Sequence, residues 1–74
     1  MNSVNVKYTL DGGSAKPTTV DVPNGHYLAT VGEVAGELKL SAEGYEAKFG
    51  ENSVNWATVV PEGQVVSFSK KASS

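Results

Sequence analysis

The chain contains neither cysteine nor arginine. Without cysteine there is no disulfide, no thiolate metal ligand and no thiol nucleophile, so packing alone must hold the fold. The same lack fits a reducing compartment and makes the cytoplasm the expected location. Arginine is the side chain that forks onto phosphates and guanine edges, and its absence argues against nucleic-acid partners. The six basic residues are all lysines, set against eight acids for a formal net charge of −2. Their one adjacent pair, Lys70-Lys71, makes no basic stripe. No apolar run exceeds three or four residues, far short of the ~20 that a membrane helix needs. The opening Met1-Asn2-Ser3-Val4-Asn5 has neither a basic segment nor an apolar block, so no secretory signal is expected.

Histidine is nearly missing as well. His26 stands in a loop with no second histidine or cysteine near it, and a solvated or capping imidazole accounts for it. Thr30 and Glu33 have the spacing of a capping box, and with no imidazole beside it the hydroxyl has nothing to activate it as a nucleophile. Gly12-Gly13 lacks both the glycine-lysine pattern and the following helix of a phosphate loop. The eight acids are spread almost evenly, and nothing obliges two of them to converge. A chain of 74 residues makes one domain, burying only about 60% of the surface that its unfolded form exposes. The expectation is a protein with no catalytic residue, no metal and no cofactor.

What is present is a change of period from two to 3.6 and back. Val4, Val6, Tyr8 and Leu10 alternate with Asn5, Lys7 and Thr9, which is a strand with one wet face. Asp11-Gly12-Gly13-Ser14 supplies a hairpin turn, and Thr18, Val20 and Val22 return antiparallel. Thr30 then opens a helix over 31–39 in which Val31, Val34, Ala35 and Leu38 share a face. Gly32 and Gly36 weaken it, and their spacing suggests a close approach to the sheet. Tyr45, Ala47 and Phe49 form a third strand, 54–60 a fourth extended stretch, and 65–69 the last. Val4, Val6, Val20, Val31, Val34, Leu38, Leu40, Phe49 and Phe68 are the expected core.

This order, ββαβ(β)β in about seventy residues, resembles the ubiquitin-like β-grasp superfamily. The likeness is most specific at Asn55-Trp56-Ala57-Thr58-Val59-Val60-Pro61-Glu62-Gly63-Gln64-Val65-Val66, which is similar to the sulfur-carrier proteins of thiamine and molybdopterin synthesis. It implies an α+β fold with one helix packed on a mixed sheet of four to five strands. The domain would cover 1–71, with 72–74 a frayed tail. The carriers end in Gly-Gly, whose carboxylate is activated, whereas this chain ends Lys70-Lys71-Ala72-Ser73-Ser74. The carrier chemistry therefore transfers to no residue here.

The function expected is a non-catalytic protein–protein interaction module, as in a phage or accessory protein that binds a host factor. The rivals are a carrier or modifier with an altered tail, and a structural subunit of a larger assembly. The partner is a protein, not nucleic acid or membrane, and the chain itself is a monomer or weak oligomer. Asn5, Lys7 and Thr9, on the wet face of the first strand, are the candidate contacts, joined by Trp56 if it is exposed.

Overall fold

A computed structural model describes residues 2–71; the tail expected at 72–74 lies outside the described residues. The elements are β1 (Asn2–Leu10), β2 (Lys16–Val22), α1 (Val31–Glu37), β3 (Tyr45–Phe49), β4 (Asn52–Val54) and β5 (Val65–Lys70). The strands form one sheet in the order β2-β1-β5-β3-β4. β1 and β5 are parallel, and every other neighbouring pair is antiparallel. The fold is thus α+β, with one helix and a five-stranded mixed sheet.

The first hairpin turns where the sequence places its turn residues. Asp11 has φ 50° and Gly12 has φ 80°, the sign pattern that suits a tight turn to the twist of its strands. The Gly13 N–H donates to Leu10 O at 3.0 Å and closes the turn. Pairing of Val4 with Val20 and of Val6 with Thr18 then sets the register. Because side chains alternate between faces, even-numbered residues of these two strands share the helix side and odd-numbered ones the open side. Across the sheet, Tyr8 pairs with Val66, Leu10 with Phe68, and Phe68 with Ala47, which extends the inner face. The outer face carries Thr9, Ser67, Lys48 and Ser53 in one cross-strand row.

Val31, Val34 and Ala35 of α1 are fully buried against Val6, Val20, Val22, Val66 and Phe68. Of the expected core, Val6, Val20, Val31, Val34 and Phe68 are buried, while Val4, Leu38, Leu40 and Phe49 are half-buried at its margin. Ala29, Ala47 and Val60 complete it, Ala47 on the apolar alternation of β3 and the other two on loops. Leu10 ends the inner face of β1 and remains 40% exposed.

The boundaries differ from expectation in instructive ways. The helix stops at Glu37, not Lys39: Lys39 takes φ 60°, its N–H donates to Gly36 O at 3.2 Å, and the Leu40 N–H reaches back to Ala35 O at 2.9 Å. Those two bonds are a Schellman ending, with lysine in the position that glycine usually holds. β1 and β2 each begin two residues earlier than the alternation of apolar residues indicates, because a ladder continues wherever the backbones stay in register. The last strand runs through Lys70, and the Lys71 N–H donates to Gly44 O at 3.0 Å, so neither lysine is loose.

The expected extended stretch at 54–60 is mostly a turn. Only Val54 belongs to β4, and Val59 makes a single bridge to Thr30. The Asn55 side chain diverts the backbone, its Oδ1 accepting from the Ala57 N–H at 2.9 Å and from the Thr58 hydroxyl at 3.1 Å. The loop so formed serves the helix. Trp56 O and Thr58 O accept from the Gly32 and Val31 N–H groups, both at 2.8 Å. Thr30 Oγ1 takes the Glu33 N–H at 3.1 Å, and the Glu33 carboxylate accepts from the Thr30 N–H at 2.9 Å. The capping box is thus present, and the first amides of α1 all have partners.

The two helix glycines do not bring α1 onto the sheet as their spacing suggests. A Cβ at Gly32 would stand 3.1 Å from Trp56 O and 3.2 Å from the Trp56 ring, so this position is kept small by the capping loop. Gly36 is exposed and a Cβ there meets nothing within 4 Å. Gly36→Ala should therefore raise stability by about 0.8–1.0 kcal/mol, seen as a Tm higher by roughly 4–8 °C. Gly32→Ala should lose that gain to crowding. Calorimetry showing equal gains at both positions would contradict the tight loop contact.

Candidate functional site

The site follows from how β1 is paired. The Asp11 N–H donates to Phe68 O at 2.8 Å, whereas Leu10 O accepts from Gly13 on the hairpin side. Backbone groups of successive strand residues point to opposite edges. The N–H and C=O of odd-numbered β1 residues therefore face β5, and those of even-numbered residues face β2. β2 accompanies β1 from Asn2 to Tyr8, but β5 joins it only from Lys7 onward. The backbone groups of Ser3 and Asn5 accordingly face an edge with no strand beside it, and among the described residues none of their amides or carbonyls has a partner on that side.

Two shallow hollows flank this open stretch. The outer one, about 220 Å³, lies among Asn5, Lys7, Pro17, Pro61 and Gln64. The inner one, about 310 Å³, lies among Val4, Val6, Tyr27, Leu28 and Glu62, with Asn5 and Val6 shared between the two. Tyr27 is 79% exposed and Leu28 41%, on the loop that joins β2 to α1. That loop is tied down: Asn2 Nδ2 donates to His26 O at 3.0 Å, the His26 N–H to Pro23 O at 3.0 Å, and the Val60 N–H to Ala29 O at 2.8 Å. The apolar side chains are thus held on an anchored segment beside the open edge.

Asn5 and Lys7 are exposed on the outer face and line the outer hollow. Asn5 Oδ1 also accepts from the Thr19 hydroxyl at 3.2 Å across the hairpin. Thr9 shares their face but is half-buried, further along where β5 has already joined. Trp56 lies apart from these three. Its half-buried ring meets Phe68 edge-on, with centroids 5.9 Å apart and planes at 78°, and it lines a separate hollow with Tyr45 and Val54. Reading by residue type missed Tyr27 and Leu28, whose only signal is an apolar pair in a loop between punctuating residues.

No group of three or more histidine, cysteine, aspartate or glutamate side chains converges among the described residues. His26 is exposed, and its backbone rather than its imidazole makes the bonds that shape the loop. No helix among the described residues is long and apolar enough to cross a membrane. Comparison with protein-family models, curated proteins and solved structures finds no match to this chain.

An open edge has a direct signature in amide exchange. The Ser3 and Asn5 amides should exchange on the order of a hundredfold faster than those of Val4 and Val6, which bond to β2. Similar protection at all four positions, measured by NMR, would show that the edge is covered.

Proposed function

We propose that the chain is a non-catalytic protein-interaction module of β-grasp architecture that takes up an extended segment of a partner protein along the open edge of β1. The β-grasp reading is supported by the sheet order, with β1 and β5 parallel at its centre and a single helix following the first hairpin. The docking mode is supported by one observation above the others. Ser3 and Asn5 offer unpaired backbone groups at strand spacing, with a hollow on either face to receive alternate side chains. Main-chain bonds supply affinity in such complexes, and the pockets for alternate side chains supply selectivity.

The other edges of the sheet are blunted. The outward backbone positions of β2 are Pro17, Thr19 and Asp21, and Pro17 has no N–H to give. Proline and charge are the usual defences of a free edge. β4 is only three residues long. The stretch at Ser3 and Asn5 has neither defence.

Asn5→Pro tests the proposal. Its N–H is not used within the fold, so the variant should keep the native spectrum, as the fold already accepts Pro17 on the next strand. Octapeptides selected on the intact protein by display should shift the amides of residues 2–7 of the labelled chain. They should lose binding to Asn5→Pro and keep it with His26→Ala. Selected peptides that bind Asn5→Pro as well as the parent, or that map to the helix, would refute edge docking.

A further inference from the structure

The two hollows differ in chemistry, and the difference constrains what can lie between them. Lys7 is the sole charged side chain lining the outer hollow, whose other walls include Pro17, Pro61 and Gln64. The inner hollow is walled by Val4, Val6, Tyr27, Leu28 and Ala29, with Glu62 its one charged residue. Neighbouring residues of an added strand project to opposite faces, so one side chain enters each hollow.

From this, and resting on the edge docking proposed above, we infer that the partner segment is an extended peptide carrying an acidic residue directly beside a branched or aromatic apolar one. The acid turns to the outer face, where the Lys7 ammonium sits free of any carboxylate in the same hollow. The apolar residue turns inward and covers Tyr27 and Leu28, which the fold leaves in water. A basic residue in the outer position meets Lys7 and is repelled. An acid in the inner position meets Glu62 and displaces apolar contact. The fit is short: β5 begins opposite Lys7, so only the few residues facing Ser3 and Asn5 can pair as a strand. A contact of that size gives a weak, reversible complex rather than a permanent subunit.

The experiment titrates three octapeptides of equal length into the labelled full chain. One has alternating glutamate and valine at its centre, one alternating lysine and valine, and one the glutamates and valines blocked apart. The alternating acidic peptide should bind about fivefold tighter than the lysine peptide, as expected of an exposed charge pair, and tighter than the blocked one. Lys7→Glu, an exposed change that leaves the fold alone, should invert the order of the two alternating peptides. If all three bind equally at residues 2–7 and Asn5→Pro abolishes each, edge docking stands and the acidic–apolar preference is wrong. If none shifts those amides at millimolar concentration, edge docking itself fails. Concentration-dependent shifts of the same amides without any peptide would give the edge to a second copy of the chain and overturn the inference.

Discussion

The parallel pairing of the first strand with the last is the constraint on which the rest of the molecule depends. It joins the β1–β2 hairpin to β5 and, through the antiparallel pairing of β5 with β3, to the β3–β4 hairpin. It also sets Val66 and Phe68 under the helix beside Val6. Asp11 locks it at one end: its N–H donates to Phe68 O, and its carboxylate accepts from the Lys70 N–H at 2.9 Å. That carboxylate takes up a β5 amide at the point where β1 has already turned away. The side chain thus extends the β1–β5 pairing by one bond past the end of β1, at an exposed position.

The offset of this pairing creates the candidate site. β1 extends five residues beyond the start of β5, and only β2 follows it there. The gap is flanked by the two loops that approach α1, one ending at Ala29 and the other passing Val60, which hydrogen-bond to each other. Those loops are held because a seven-residue helix cannot persist alone. Its first turn borrows carbonyls from the Trp56 loop, and its valines need the sheet. Helix capping, the small residue at Gly32, and the walls of both hollows are therefore parts of one arrangement.

This arrangement also explains why the aromatic residues divide as they do. Trp56 lies where the capping loop meets the core, so its ring serves Phe68 and its carbonyl serves Gly32. Tyr27 lies on a segment whose backbone is committed to Asn2, Pro23 and Val60 through its neighbours, which leaves the ring in water. Exposure of a large aromatic on an anchored loop is the kind of surface that binding uses.

Local physics made much of this legible from the amino acids alone. Alternation at Val4, Val6 and Tyr8 marks a half-wet strand, Asp11-Gly12 marks the turn that φ > 0 requires, and Thr30 with Glu33 marks the start of the helix. Each depends only on residues a few positions apart, and the wet-face residues Asn5 and Lys7 follow from the same alternation. The helix end was not legible, because lysine at 39 occupies a left-handed position that pattern assigns to glycine. Nor was the loop at 55–58, where tryptophan and threonine have strand propensity but Asn55 and the helix amides claim the backbone. The edge at Ser3 and Asn5 lies furthest beyond the sequence's reach. It exists because residue 7 meets residue 65 rather than residue 60, a register set by long-range packing, and no local preference of either segment can encode where the other begins.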